Sequence, residues 1–279
     1  MKKFLFILFI FTIIFAPFVS LRAESINMQP VKILLVPGHD DEFGGAQYGN
    51  IKEADMNLAL ATQIYNIFKK DKRFKVYITR DYSGYTKEFK DYFSDMSLIS
   101  SFEEKAKKNM QAEVEAGTFI EKAGAPHATA KKGMALRLYG FNKWANENKI
   151  DAMIHIHFND YVRLRKEGTG KYKGFAVYMP DPQMPNANTS DAFASSIFKE
   201  LSKKYLTSNF GKEKGGLISD QKLIALGAYD TLESSVRSVL VEYGYIYEKK
   251  FRTYALRKKA YASMAQLTSA GIKNYFFSQ

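Results

Sequence analysis

Short apolar, β-branched runs alternate along the chain with longer segments in which apolar residues recur at helical spacing. The strand-like runs cover residues 31–36, 74–79, 152–158, 174–179 and 238–243. The helical patterns cover residues 54–69, 132–148, 191–205 and 251–276. Alternation of this kind predicts an α/β fold, in which a twisted, mostly parallel sheet carries helices on both faces.

One long connection interrupts this alternation. Residues 82–132 separate a strand from the next core helix and are rich in Lys and Glu. Because a compact domain rarely keeps so long a connection without secondary structure, we expect a helical insertion, with a helix over residues 102–122. Its role stays open between a wall of a groove, an inhibitory plug and a solvated helix.

The N-terminus, residues 1–23, has the pattern of a signal peptide. Lys2 and Lys3 precede an apolar run that ends near Ala23. Leu21 is large for its place before a cleavage site, so an uncleaved membrane anchor is the alternative. We expect cleavage, which leaves residues 24–279 as one exported domain, without a membrane span, in the periplasm or the extracellular cell envelope.

The chain is basic and contains no cysteine. Its formal net charge is +12, and loss of a leader that carries three basic and no acidic residues leaves about +9. An exported basic protein favours anionic surfaces such as wall polymers, although a solvated surface without a partner is the alternative. We recognise no nucleic-acid-binding module. The lack of cysteine excludes disulfides, a cysteine nucleophile and Cys-ligated zinc.

Three residues at the ends of these elements have the chemistry of metal ligands. His39 follows a Pro-Gly turn after the first strand, Glu53 lies at the start of the next helix, and His157 ends the third strand-like run. The carboxyl ends of parallel strands face one crevice of an open α/β sheet. Two imidazoles and one carboxylate form a ligand set typical of catalytic Zn²⁺, which keeps a fourth position for water.

A fourth residue supplies a proton carrier. Glu242 ends a strongly apolar run, and a buried carboxylate is unfavourable unless it faces a polar site. Zinc polarises a carbonyl and lowers the pKa of bound water, but the water proton still needs an acceptor. Glu242 is therefore the candidate catalytic residue.

Other polar residues near these motifs have structural interpretations. His155 lies on the same strand face as His157, and we expect it to be hydrogen-bonded in the core. The alternative is a role at the metal site, either as a supporting contact or as an extra ligand. Arg137 and Asn159 are expected to brace the site. The acidic residues 40–42 form either a rim of the site or a solvated loop.

Taken together, these motifs resemble the zinc-dependent N-acetylmuramoyl-L-alanine amidases of the amidase_3 family. The matching positions are Ile33, Pro37-Gly38-His39, Gly45-Ala46, Glu53, Asn57-Leu58-Ala59, Val76-Tyr77-Ile78-Thr79-Arg80, Arg137, Ala145-Asn146, Asp151-Ala152, Ile156-His157-Phe158-Asn159 and Val239-Leu240-Val241-Glu242-Tyr243-Gly244. They cover most of residues 31–277 outside the insertion. Three departures are His155 in place of a common serine, Val36 in place of a usual aspartate, and residues 40–43 in place of a glycine-rich loop.

The resemblance implies a function for each ligand. His39, Glu53 and His157 would bind Zn²⁺, and Glu242 would be the family's catalytic glutamate. The implied reaction is hydrolysis of the amide between N-acetylmuramic acid and L-alanine of the peptidoglycan stem peptide by zinc-activated water. Two alternatives stay open: a catalytically degenerate amidase fold that only binds cell wall, and a zinc peptidase that cuts within the stem peptide.

Overall fold

The computed structural model describes residues 29–124, 130–165 and 168–278. The predicted signal peptide therefore lies outside the described residues. The strands are β1 (Val31–Pro37), β2 (Gln47–Tyr48), β3 (Ile51–Lys52), β4 (Phe74–Ile78), β5 (Arg80–Asp81), β6 (Gly84–Tyr85), β7 (Ala152–Asn159), β8 (Ala176–Pro180), β9 (Leu217–Asp220) and β10 (Arg237–Tyr245). The α-helices are α1 (Glu53–Phe68), α2 (Lys87–Tyr92), α3 (Ser97–Glu115), α4 (Lys132–Glu147), α5 (Ala187–Ser202) and α6 (Tyr254–Phe277).

A six-stranded sheet in the order β4-β1-β7-β10-β8-β9 forms the centre of the fold. The first four strands of this order are mutually parallel. Strand β8 runs antiparallel to β10, and β9 runs parallel to β8. The predicted mostly parallel sheet is therefore confirmed, and its reversed part is confined to one edge.

Helices cover both faces of the sheet, as predicted. Side chains alternate between the faces along each strand, because the side-chain period of a strand is two. Ile33 and Ile154 belong to the core beneath α1, α5 and α6. Leu34 and Met153, their neighbours in sequence, belong to the core beneath α2 and α4. The residues on the second face lead along the strands to the carboxyl ends of β1, β7 and β10.

The segment between β4 and α4 contains the β5–β6 hairpin, α2 and α3. The helix predicted over residues 102–122 is misplaced, since α3 ends at Glu115. The chain turns there at Gly117, whose φ of 72° lies in the left-handed region, while the Thr118 amide donates to the Glu113 carbonyl over 3.0 Å. The turn at Gly117 therefore ends α3 at Glu115, although the charge pattern and the apolar spacing predicted a helix that continued to residue 122.

After α3 the chain crosses to the edge formed by β8 and β9. The amide of Lys122 donates to Gln221 over 2.9 Å, and its ammonium group lies 2.9 Å from Asp181. The backbone of Ile120 exchanges two hydrogen bonds with the side-chain amide of Gln183. These contacts attach the segment to the β8–β9 edge of the sheet.

Helix α6 begins at Tyr254, three residues after the predicted start. Thr253 sets this boundary, because its hydroxyl accepts a hydrogen bond from the Leu256 amide. No helix among residues 29–124, 130–165 and 168–278 is both long and apolar enough to cross a bilayer.

Candidate metal centre

His39, Glu53 and His157 meet at the carboxyl ends of β1 and β7, as the sequence predicts. Nε2 of His39 lies 3.2 Å from Oε2 of Glu53, and Nδ1 of His157 lies 3.2 Å from Oε1 of the same carboxylate. One potential ligand atom from each residue lies within 4.8 Å of the other two. The imidazole rings are 5.2 Å apart and inclined at 75°. The two histidines thus approach one point from different directions.

Two glycines make room for these side chains. A Cβ at Gly38 would lie 2.1 Å from Cε1 of His157. A Cβ at Gly45 would lie 2.5 Å from both Glu53 Oε2 and His39 Cδ2, and Gly45 also has a φ of 73°. His39 itself has a φ of 59°, which is uncommon outside glycine. The backbone is therefore shaped around the three side chains.

The Glu53 carboxylate is only 5% exposed and is held by donors from three elements. The Ala46 amide donates to Oε2 over 2.9 Å, while the Asn57 side chain and the Phe158 amide donate to Oε1 over 3.4 Å. Asn57 also donates to the Gly38 carbonyl over 2.9 Å. These bonds fix the carboxylate between the imidazoles before any ion is bound.

The buried guanidinium of Arg80 supports the same backbone. It donates to the carbonyls of Gly38, over 3.1 Å, and Ala54, over 2.8 Å. Gly38 precedes His39, and Ala54 follows Glu53, so this one side chain ties together the segments that carry two of the ligands. Neither hydrogen bond follows from local sequence pattern.

Electrostatics favour an ionised Glu53. Burial raises the pKa of its carboxyl, but hydrogen bonds with His157 and His39 outweigh burial and hold the pKa well below its usual range. Burial lowers the pKa of His157, which favours the neutral ring. Burial also lowers the pKa of His39, but its hydrogen bond with Glu53 outweighs burial, so the pKa of His39 is raised. A carboxylate with neutral imidazoles is the form that ligates a cation.

The donor set fits a tetrahedral divalent ion. Bond lengths of about 2.0–2.2 Å to nitrogen and oxygen place tetrahedral ligand atoms roughly 3.3 Å apart. One ligand atom from each of the three residues lies within 4.8 Å of the other two, which is close enough for one ion to contact all three. Three protein ligands with a fourth position facing a cleft are the arrangement of catalytic rather than structural sites. The residues present could therefore hold a metal ion.

Glu242 lies beside His157 in the β7–β10 register. It is 5% exposed and lines the same cleft as the three potential ligands. Burial raises the pKa of its carboxyl well above the usual value, and the negative charges of Glu53 and Glu213 add to this effect. The structure therefore brings the predicted proton carrier to the predicted ligands.

Glu213 is a buried carboxylate that sequence reasoning missed. It accepts hydrogen bonds from Tyr178 over 2.7 Å, from Tyr245 over 3.0 Å and from Asn159 over 2.8 Å. Asn159 thus braces the site, as expected. Glu213 lies in a 3₁₀ turn of three residues with no local pattern around it, so only the tyrosines on β8 and β10 could have pointed to it.

The acidic loop after His39 has two parts. Asp40 is buried, and its carboxylate accepts hydrogen bonds from Tyr85 over 2.8 Å and from Arg137 over 2.7 Å. Arg137 also contacts Glu42 over 2.7 Å, which confirms its bracing role. The solvated-loop alternative is therefore wrong for Asp40, because the loop is clamped to α4 and β6.

His155 lies one side-chain repeat below His157 on the same face of β7. It is fully buried, and burial, with a smaller electrostatic contribution from His157, lowers its pKa to about 3. The expectation that it is hydrogen-bonded in the core is wrong, since neither ring nitrogen has a hydrogen-bond partner among the described residues. It is also absent from the group of three potential ligands.

The three potential ligands, His155, Asn159 and Glu242 border one cleft of about 1250 Å³. Its floor carries the three potential ligands, His155 and Glu242. One wall comes from the segment that precedes α4, through Ser100, Glu103 and Lys107 of α3. Glu103 pairs with Lys107 over 2.6 Å rather than with the histidines.

Comparison of the sequence with protein families decides the assignment. The profile of the Amidase_3 family, described as N-acetylmuramoyl-L-alanine amidase, matches residues 33–274. The chain belongs to this amidase family. Its members hydrolyse the amide between N-acetylmuramic acid and L-alanine of peptidoglycan, so the predicted family, enzyme class and scissile amide are confirmed. No curated protein sequence matches the amidase.

Solved structures of other amidases share the fold. The catalytic domain of CwlV from Bacillus (Paenibacillus) polymyxa var. colistinus is 18% identical, with a TM-score of 0.55 over 89% of this chain and 99% of that one. An N-acetylmuramoyl-L-alanine amidase from Clostridium difficile 630 is 14% identical, with a TM-score of 0.56 over 90% and 98%. The CwlD amidase from Clostridioides difficile, solved with the GerS lipoprotein, is 14% identical, with a TM-score of 0.53 over 89% and 100%.

Proposed function

We propose that this amidase is an exported zinc hydrolase in which His39, Glu53 and His157 bind the metal and Glu242 carries the proton. The observation that supports this most strongly is the meeting of two imidazoles and a buried carboxylate, with separations of 3.2 Å, beside a second buried carboxyl in one cleft. The substrate is the amide that joins the lactyl group of N-acetylmuramic acid to L-alanine.

Zinc is the ion that this donor set suits best. Nitrogen and oxygen ligands in a three-residue site with an open position are typical of catalytic Zn²⁺. When bound, it would polarise the scissile carbonyl and lower the pKa of a water molecule. Glu53 neutralises part of the ion's charge, and its hydrogen bonds to Ala46 and Asn57 keep it from turning away.

Glu242 would accept the proton of the attacking water and deliver it to the amine of the departing alanine. A single carboxyl can serve both steps when its pKa lies near the working pH. Burial and the negative charges of Glu53 and Glu213 raise the pKa of Glu242 well above its usual value. No nucleophilic side chain is needed, and no covalent enzyme intermediate forms.

The segment between β4 and α4 would serve as a wall of the substrate groove. Ser100, Glu103 and Lys107 face the cleft, and the Lys122–Asp181 contact holds the segment across it. An additional wall along the cleft suits an extended polymer better than a small free molecule. The basic charge of the protein would favour approach to anionic wall polymers outside the cytoplasm.

Digestion of purified peptidoglycan tests this function. The zinc-loaded enzyme should release stem peptides with free L-alanine amino termini from intact glycan, as read by mass spectrometry. A chelator should stop the release, and added Zn²⁺ should restore it. Shortened stem peptides would instead support the peptidase alternative. Zinc binding without any product would support the degenerate, wall-binding alternative.

A further inference from the structure

A recess lies directly below the candidate metal centre on the same face of the sheet. The strand registers place Val36, His155 and Leu240 side by side on β1, β7 and β10. The next positions toward the carboxyl ends are Gly38, His157 and Glu242, which form the site itself. Successive positions on one strand face lie about 7 Å apart, so the two layers are neighbours in space.

The recess belongs to the same cavity as the ligands. Val36, His155 and Leu240 line this part of the cleft from the sheet, Leu138 and Phe141 line it from α4, and Ala225 also borders it. All of them except Leu138 are buried. The two helix residues and the two strand residues beside His155 are all apolar. Among these six residues of the lining, His155 is the one with a polar side chain.

The state of His155 requires an explanation. Both of its ring nitrogens are buried without a hydrogen-bond partner among the described residues, whereas His39 and His157 each contact Glu53. Buried polar groups in folded proteins almost always have partners, because an unpartnered one loses its hydration without compensation. A leucine or methionine at this position would pack the same space at lower cost. A partner that arrives with the substrate would account for the imidazole.

We propose that this recess is a substrate subsite in which His155 hydrogen-bonds an amide group of the residue beside the scissile bond. A neutral imidazole presents one N–H donor and one acceptor nitrogen that point in different directions, so one of them can pair with either the carbonyl or the N–H of an amide. The apolar sides fit a small aliphatic substituent, such as the methyl group of an alanyl or lactyl unit. This inference rests on the proposed function, because it assumes that the bond to be cut lies at the metal.

The test compares His155→Leu with His155→Gln. Leucine fills the space without hydrogen bonding, and glutamine restores one donor and one acceptor. Each is made in a Glu242→Gln background, which should bind muropeptide without cutting it, and the dissociation constant is measured by calorimetry on zinc-loaded protein. We expect leucine to weaken binding at least tenfold and glutamine to recover most of the loss. Met153→Leu, deeper on the same face, is the packing control.

Stability separates this role from a purely structural one. Removal of an unpartnered buried imidazole should leave the Tm of metal-free His155→Leu unchanged or higher, while its muropeptide binding falls. A structural role predicts a lower Tm together with the loss of binding. Equal binding by His155→Leu and the parent would overturn the proposal, as would a loss of bound zinc in this variant.

The two proposals fail in different ways. If the parent neither binds nor cleaves muropeptide, the proposed function is wrong. If the parent binds and cleaves but His155→Leu does both equally well, only the subsite is wrong. Zinc content, measured in the same samples, shows whether His155 acts through the metal or through the substrate.

Discussion

Gly38 and the His157 ring occupy adjacent space so closely that no side chain fits between them. A Cβ added to Gly38 would lie 2.1–2.6 Å from three atoms of the imidazole. The missing side chain on β1 therefore determines where a potential ligand on β7 can lie. This relationship joins two strands whose residues are more than a hundred positions apart in sequence.

Gly38→Ala should displace the His157 ring and weaken metal binding. A misplacement of about 1 Å in a catalytic group can reduce activity about 10²-fold. We expect a loss of that size in kcat/KM, with lower zinc occupancy measured by mass spectrometry. Gly211→Ala is the matched control, because nothing lies within 4 Å of a Cβ at Gly211. Full zinc occupancy and activity in Gly38→Ala would contradict the proposed ligand role of His157.

Glu242→Gln should separate metal binding from turnover. The amide keeps the shape of the side chain but cannot carry the proton, and general acid–base groups contribute about 10²–10⁴-fold to rate. We expect kcat to fall within this range while zinc content stays unchanged. His39→Ala and His157→Ala should lose both zinc and activity. An active Glu242→Gln enzyme would show that another group carries the proton.

Asp230→Asn should stabilise the protein in a pH-dependent manner. Burial, and secondly the charge of Glu113, raises the pKa of Asp230 to about 6 from an ordinary value of 3.8. The folded state thus binds the proton more tightly than the unfolded state, so ionisation destabilises the fold as pH rises from 3.8 through 6. The Tm gain of Asp230→Asn should be largest above pH 6 and should shrink towards pH 4.

A backbone effect must be separated from this titration. Asp230 has a φ of 54°, a conformation that asparagine tolerates well, so part of the gain should be independent of pH. The exposed Asp191→Asn variant is the control for charge removal alone. A Tm gain that does not change between pH 4 and pH 8 would rule out the raised pKa as its cause.

Lys107→Glu should weaken digestion of the polymer more than cleavage of a small muropeptide. Lys107 lies on the α3 wall of the cleft, with its ammonium 5.6 Å from the Tyr139 ring and 5.8 Å from the Tyr229 ring. The reversed charge should repel the carboxylates of stem peptides. We expect the rate of polymer digestion to fall about two- to fivefold, the range of an exposed ion pair. Lys108→Glu, which changes the same charge on an exposed neighbour outside the cleft lining, is the control. Equal losses in both variants would indicate a general effect of net charge.

Local pattern was sufficient for much of the fold. Strand β1 follows from the run that ends at Pro37, and α1 follows from apolar spacing that begins beside Glu53, because both patterns are set by periods of two and 3.6 residues. The same reasoning placed His39 and His157 at the carboxyl ends of parallel strands and Glu53 at the start of α1. Their convergence needs only the rule that parallel strands share one edge.

Tertiary structure decided what depends on partners distant in sequence. The four-residue strand β9 forms because it pairs with β8. The carboxylate of Glu213 is held in place because two tyrosines and Asn159 donate hydrogen bonds to it. His155 lay on the strand face that the sequence predicts, but only the packing of Val36 and Leu240 beside it leaves both nitrogens without partners. The periodicity of a strand or helix determines the face on which a side chain lies. Segments that are distant in sequence determine which groups the side chain contacts, and no local pattern predicts those contacts.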